Sequence, residues 1–193
     1  MKKLIRFLLI IILILSLLII YARYGGTRGL ITKEYPIETT IDDSFDGLKI
    51  VHFSDLHYLR ITNKETTQSI IEEINLLNPD IVVFTGDLID KDYKPNDKDI
   101  SNLKELLTSI KSKYGKYSVL GEHDTKIEDT IKDIYISSNF TLLDNSYDII
   151  YGNNNNKLFI GGLSNNPDID KVMNYFTDNE DINYKIILVH KPD

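Results

Sequence analysis

One stretch near the middle of the chain, residues 81–90, constrains the fold more than any other. It opens with four consecutive apolar residues, and Gly86 and Asp87 follow shortly after them. A short, uninterrupted apolar run is typical of a strand buried on both faces, as in a parallel sheet. Two carboxylates, Asp87 and Asp90, come where this strand ends, which is where ligands bind in open α/β sheets. Because a buried carboxylate needs a positive partner, we interpret the stretch as part of a metal-binding site.

The same pattern, an apolar strand followed by polar residues, recurs along the chain. Core strands are predicted within residues 48–53, 117–120 and 185–189, and shorter strands at 141–143, 148–151 and 158–160, with a hairpin through the asparagine-rich residues 152–156. Helical periodicity follows a capping-box pattern that begins at Thr62, and it appears again in residues 100–110 and 127–137. Strands that alternate with helices predict an α/β fold with right-handed parallel βαβ units.

Polar residues at the ends of four predicted strands form a candidate site. They are Asp55 and His57, then Asp87 and Asp90, then Glu122, His123 and Asp124, and finally His190. A mixture of imidazole and carboxylate groups suits Mn, Fe or Zn. Two such ions about 3.5–4 Å apart form a clamp for in-line displacement at phosphorus. A single Asp-x-His is usually a cap or a surface pair, but four such loops on successive units favour a metal centre, whereas His52, inside a strand, is expected to be structural.

These blocks resemble the successive signature blocks of the calcineurin-like metallophosphoesterases, in particular the bacterial members with an N-terminal membrane anchor. The blocks are Asp55-Leu56-His57, Gly86-Asp87-Leu88-Ile89-Asp90, Gly121-Glu122-His123-Asp124 and Val189-His190-Lys191-Pro192-Asp193, and the resemblance covers residues 48–193. It implies a four-layer αββα sandwich with two divalent metal ions at the strand ends. It also implies hydrolysis of phosphate ester or pyrophosphate bonds by a hydroxide that the two ions activate.

The resemblance assigns a role to each site residue. Asp55 and His57 are expected to hold the first metal ion, Asp87 to bridge both ions, and Glu122 and His190 to serve the second ion. His123 is expected to contact the phosphate and to protonate or stabilise the leaving oxygen, and Asp124 to orient the ring of His123. Asp90 is expected to support the loop rather than to bind metal.

The chain departs from the family pattern in two places. Glu122 stands where the family has asparagine, which adds a negative charge and removes an amide donor. We therefore expect altered substrate preference or reduced activity. The family's closing Gly-x-His-x-His block is absent from the sequence. This absence predicts a truncated product, and it leaves open a catalytically dead remnant that acts at most as a membrane-tethered binding module.

The N-terminal segment carries the strongest hydrophobicity. We assign residues 1–23 to a membrane anchor, 24–47 to a tether and 48–193 to the phosphoesterase domain, since the apolar run approaches the roughly 20 residues of a membrane span. A cleaved signal peptide is the alternative, but Tyr21 and Tyr24 occupy the place of a small-residue cleavage site. Lys2, Lys3 and Arg6 favour a single pass with a cytoplasmic N-terminus and an extracytoplasmic domain, whereas the charges that follow the apolar run, Arg23, Arg28 and Lys33, oppose this orientation.

Overall charge and composition limit the kinds of binding partner and substrate that we expect. The net charge is −7 and no dense basic run occurs beyond the N-terminus, so nucleic acid is not an expected scaffold. The absence of cysteine excludes thiolate metal sites and thiol nucleophiles. Because the domain is expected to be tethered to the membrane, phosphorylated small molecules or lipid-linked phosphates are the expected substrates.

Overall fold

The structure is a computed structural model that describes residues 2–24, 30–153, 156–177, 182 and 184–192. The glycines at the start of the expected tether, Asn154 and Asn155 of the expected hairpin, and Asp193 lie outside the described residues. The chain divides into two compact units, residues 1–38 and 39–193.

The first unit contains helix α1 (Lys2–Tyr24). Within it, Lys3–Tyr21 has a mean hydropathy of 3.0 and is long and apolar enough to cross a membrane, by length and composition. Its leucine and isoleucine side chains are exposed, among them Leu9 and Ile19. Such a surface favours a lipid environment over water.

A four-stranded parallel sheet forms the first half of the second unit. Its strands, in spatial order, are β1 (Ile50–Phe53), β2 (Ile81–Phe84), β3 (Gly115–Ser118) and β4 (Phe140–Leu142). Helices α2 (Lys64–Leu76), α3 (Asp97–Thr108) and α4 (Glu128–Ser137) connect them. All four residues of β2 are buried, which confirms the prediction from its apolar run. Strand β3 begins at Gly115, two residues before the predicted start at 117, because Gly115 already pairs with Ile81 of β2 in the parallel register.

Helix α2 starts one residue later than its capping-box pattern predicts. The side chain of Asn63 accepts the backbone N–H of Thr66 and so caps the helix. The hydroxyl of Thr62 instead donates to the carbonyl of Leu56 at 2.8 Å, which ties the helix start to the loop after β1.

A second, three-stranded sheet packs on the first. It contains β5 (Ser146–Tyr151), β6 (Lys157–Gly162) and β7 (Lys185–Leu188), with β5 antiparallel and β7 parallel to β6. One core lies between the sheets and includes Val83, Val119 and Ile160. Another lies under α2–α4, and a third includes Val172 of α5 (Ile169–Thr177). The order helix, sheet, sheet, helix is the expected αββα arrangement.

The segment before β1 belongs partly to this second unit. Phe45, in a short 3-10 helix (Asp43–Phe45), is 2% exposed and lies in the core between the sheets. The side-chain amide of Asn156, 114 positions away in the sequence, donates a hydrogen bond to Oδ1 of Asp42. The compact unit therefore includes residues 39–47, which the sequence assigned to the tether.

Candidate metal centre

The loops after β1 and β2 run side by side beyond the strand ends. The backbone N–H of Asp55 donates to the backbone carbonyl of Gly86 at 3.0 Å, and the backbone N–H of His57 donates to the backbone carbonyl of Asp87 at 3.1 Å. These bonds extend the parallel pairing past the sheet edge. Side chains that are far apart in the sequence are thereby held at one place.

Four residues of these loops other than glycine have a backbone in the left-handed region, one of them being Leu59 with a φ of 72°. Asp55, His57 and Asp87 have φ angles of 54°, 39° and 59°. Residues other than glycine seldom adopt this left-handed region, and where they do, the strain often marks a functional site. The sequence predicted these same three residues as metal ligands.

Two groups of donor atoms meet at Asp87. His57, Asp87 and His123 form one group, and Asp55, Asp87 and His190 form the other, with the donor atoms of each group within 4.8 Å of one another. Asp87 Oδ2 lies 3.7 Å from His57 Nε2 and 3.5 Å from His190 Nε2. Asp55 Oδ1 lies 3.7 Å from His57 Nε2. The shared residue is the one expected to bridge two ions.

These separations fit a metal ion better than direct hydrogen bonds. Hydrogen bonds from nitrogen to oxygen measure about 2.7–3.2 Å. Two ligands that each lie about 2.0–2.2 Å from one ion are separated by distances close to those seen here. Moreover, Asp87 is 4% exposed, so its charge is removed from water and needs a positive partner. The residues therefore fit divalent metal ions.

His190 is held in a defined orientation. Its Nδ1 lies 2.7 Å from the carbonyl oxygen of Thr85, which can only accept, so Nδ1 carries the proton. Nε2, which faces Asp87, is then left with its lone pair. A second hydrogen-bond partner of this kind is usual for a metal-binding histidine.

Asp90 contacts both other imidazoles of the site. Its Oδ2 lies 3.3 Å from Nδ1 of His57 and 3.5 Å from Nδ1 of His123, and its Oδ1 accepts from Arg60 at 2.7 Å. The backbone N–H of Asp92, followed by Arg60, lowers the pKa of Asp90 to about 2. Asp90 therefore stays ionised, and its charge faces both rings without a hydrogen bond, since among the described residues Nδ1 of His57 has no hydrogen-bond partner and Nδ1 of His123 accepts the backbone N–H of Lys91 at 3.5 Å.

His123 faces the site beside His57. The two ring centroids are 4.8 Å apart with an interplanar angle of 70°, and the His123 side chain is 16% exposed. The backbone N–H of His123 donates to Oδ1 of Asp87 at 2.9 Å. Its ring nitrogen thus lies among the donor atoms around Asp87.

Asp124 has other partners than the ring of His123. Its side chain is fully buried, and its oxygens accept three backbone N–H groups, from Asp87, Leu88 and Gly121, each at 2.9 Å. Burial raises the pKa of Asp124 to about 6, although the three donors oppose the shift. Asp124 thus joins the loops after β2 and β3, and Asp90 is the carboxylate next to the His123 ring.

Glu122 is exposed and pairs with Lys191. The Lys191 ammonium donates to Oε2 of Glu122, and this contact lowers the pKa of Glu122. Among the described residues, the two donor groups at Asp87 do not include Glu122. The side chain that was expected to serve the second ion therefore lies beside the site, where it forms an ion pair.

His52 lies outside the two donor groups, although it is exposed on β1 and not buried as the structural histidine was expected to be. Its Nε2 lies 2.8 Å from the hydroxyl of Thr85. Thr85 thereby contacts two histidines, since its carbonyl holds His190. No sequence pattern indicated Thr85, because a backbone carbonyl is available from any residue type.

We predict that Asp90→Asn weakens Mn²⁺ binding by about 10–100-fold, the usual effect of removing a charged partner of a metal ligand. The amide keeps the shape of the carboxylate but removes the charge that faces His57 and His123. Binding is measured by calorimetry on the full chain in detergent micelles. The matched control is Asp92→Asn, because Asp92 also approaches Arg60, at 3.5 Å, but is largely exposed. Equal affinities for the two variants, each with an unchanged melting temperature, would contradict the role assigned to Asp90.

Comparisons with known proteins agree with this geometry. The family model for the calcineurin-like phosphoesterases matches residues 48–193. An uncharacterized metallophosphoesterase of Bacillus subtilis, YkuE, is 32% identical over 182 residues, covering 90% of this chain and 61% of that protein. This chain therefore spans less than two thirds of that relative.

Two further relatives match shorter segments. A transmembrane protein with a metallophosphoesterase domain from Danio rerio is 30% identical over 115 residues, which cover 58% of this chain and 25% of that protein. The UDP-2,3-diacylglucosamine pyrophosphatase LpxG of Chlamydia muridarum is 36% identical over 78 residues, covering 40% of this chain and 23% of the relative. Since the family model covers most of the chain, the chain belongs to the calcineurin-like phosphoesterase family.

Proposed function

We propose that this chain is a membrane-anchored, metal-dependent phosphoesterase that hydrolyses phosphate ester or pyrophosphate bonds. The observation that carries the proposal is the buried Asp87 carboxylate, shared by two groups of imidazole and carboxylate donors. A bridging carboxylate between two sites is the arrangement used for displacement at phosphorus. The family membership and the pyrophosphatase named among the relatives support the same reaction class.

We assign two divalent ions, Mn, Fe or Zn, to the carboxylate and imidazole donors that surround Asp87. Bound there, such ions polarise phosphoryl oxygens and lower the pKa of water. Asp55 and His57 are assigned to one ion, His190 to the other, and Asp87 to both. The carbonyl of Thr85 accepts from Nδ1 of His190, and Asp90 lies 3.3 Å from Nδ1 of His57, while the Nε2 atoms of both imidazoles face Asp87.

His123 is assigned to the phosphate and the leaving group. Its ring lies next to His57, and Asp90 lies 3.5 Å from its Nδ1. An imidazole that lies beside the phosphate can act as a general acid toward the departing oxygen. General-acid assistance of this kind contributes about 10²–10⁴-fold to a rate.

The apolar helix α1 supports the membrane assignment. We assign residues 1–23 to an anchor, 24–47 to a connecting segment whose last residues join the domain, and 48–193 to the catalytic domain. An anchor holds the site near lipid-linked phosphates, so these are proposed substrates beside small phosphate esters. The Danio rerio relative, named as a transmembrane protein, supports an anchored family member.

We predict that the full chain, purified in detergent and loaded with Mn²⁺, hydrolyses p-nitrophenyl phosphate or bis-p-nitrophenyl phosphate and holds about two ions per chain. Asp87→Asn is expected to lose most of the activity and at least one ion, because both donor groups need this carboxylate. Mass spectrometry gives the metal content of the same samples. Asp133→Asn is the control, since Asp133 pairs with Lys104 on an exposed surface. Full activity of Asp87→Asn would refute the assignment.

We predict a cytoplasmic N-terminus and an extracytoplasmic domain. The chain has no cysteine, so single cysteines can report the topology directly. A membrane-impermeant maleimide is expected to label Lys98→Cys, at an exposed position of α3, in intact spheroplasts. Lys3→Cys is expected to react only after permeabilisation. The reverse labelling pattern would contradict the proposed orientation.

A further inference from the structure

An ion pair between two loops lies at the edge of the candidate metal centre. Lys191 follows the proposed ligand His190, and Glu122 precedes His123, so the pair joins the loops after β7 and β3. The two residues are 69 positions apart in the sequence. This pairing therefore depends on the tertiary fold, unlike a pair within one helix.

The pair lies within reach of a ligand in the site. Oε2 of Glu122 holds the ammonium group, while Oε1 of the same carboxylate lies 3.8 Å from Nε2 of His123. The ammonium is thus separated from the imidazole by a single carboxylate. Both partners are about half exposed. Exposed ion pairs contribute little to stability, so the fold does not depend on this pair and the ammonium can change partners.

The pair also changes the charge of the site. Glu122 adds a negative charge that would repel an anionic substrate, and Lys191 cancels it. A lysine ammonium carries three donors and often binds phosphate as a point charge. It can therefore supply the donor that an asparagine amide at position 122 would have provided.

We propose that Lys191 binds a non-bridging oxygen of the substrate phosphoryl group, and that Glu122 holds Lys191 in the resting enzyme and is not a metal ligand. This inference rests on the proposed phosphoesterase function. When phosphate enters, the ammonium exchanges the Glu122 carboxylate for a phosphoryl oxygen. A singly charged phosphodiester gains little from this exchange, because it replaces an anion of equal charge. A doubly charged terminal phosphoryl group gains more, so Lys191 selects for phosphomonoesters and terminal phosphates.

The test measures binding of inorganic phosphate and of Mn²⁺ to the full chain in detergent by calorimetry, phosphate being titrated into the Mn²⁺-loaded protein. Lys191→Met is expected to weaken phosphate binding about tenfold or more and to leave the number of Mn²⁺ ions unchanged. Lys191→Arg is expected to restore most of the affinity. Glu122→Gln is expected to strengthen phosphate binding, because the ammonium is released, without weakening Mn²⁺ binding tenfold. The control is Lys113→Met, since Lys113 is equally exposed and pairs with Asp80, a residue just before β2.

Kinetics give a second readout. Lys191→Met is expected to lower the ratio of kcat/KM for p-nitrophenyl phosphate to that for bis-p-nitrophenyl phosphate about tenfold, mainly through KM. Phosphate affinity in Lys191→Met within threefold of the Lys113→Met value would overturn the proposal. A tenfold loss of Mn²⁺ affinity in Glu122→Gln would also overturn it, by showing that Glu122 is a ligand. A wild-type chain that binds Mn²⁺ and phosphate but hydrolyses neither substrate would refute the proposed function, while calorimetry would still decide the role of Lys191.

Discussion

The candidate site depends on one buried carboxylate placed where a buried strand ends. Asp87 Oδ1 accepts the backbone N–H of His123, which leaves Oδ2 to face the imidazoles of His57 and His190. This arrangement needs a very close approach of the neighbouring loop: a Cβ atom at Gly121 would lie 2.1 Å from Oδ1 of Asp87. Gly86 is equally constrained, because it has a φ of 97° and a Cβ there would meet the Gly121 backbone at 2.2 Å. The two glycines thus let the loops approach closely enough to hold the carboxylate.

Much of the fold and most of the candidate ligands could be predicted from sequence, for a physical reason. The apolar run of β2 can only be buried, and the parallel strands β1 and β2 bring their carboxyl ends to one edge, so Asp55 and Asp87 had to approach one another. His190 follows β7 of the second sheet, so its approach depends on how the two sheets pack. The partners of Asp124 and Asp90 could not be predicted in this way. They depend on loops whose backbone enters the left-handed region at Asp55, His57 and Asp87, and hydrophobic periodicity carries no information about such loops.

The charge balance of the site likewise emerges only from the tertiary structure. From sequence, Glu122 counts as an added negative charge among the ligands. In the structure, Lys191 pairs with Glu122, and Arg60 pairs with Asp90. The exposed Glu122 and the buried Asp90 therefore both have cationic partners, while Asp55 and Asp87 remain to face a metal ion. The role of Lys191 cannot be predicted from the sequence, because it depends on Glu122 of the loop after β3 lying beside it in the fold.

The most direct test of a shared Asp87 is a crystal structure of the Mn²⁺-loaded protein, with the ions located by anomalous scattering. We expect two peaks about 3.5–4 Å apart, one near His57 and one near His190, with Asp87 bound to both. The Lys191–Glu122 pair should remain outside the coordination shell. A single peak, or a peak coordinated by Glu122 and not by Asp87, would contradict this arrangement.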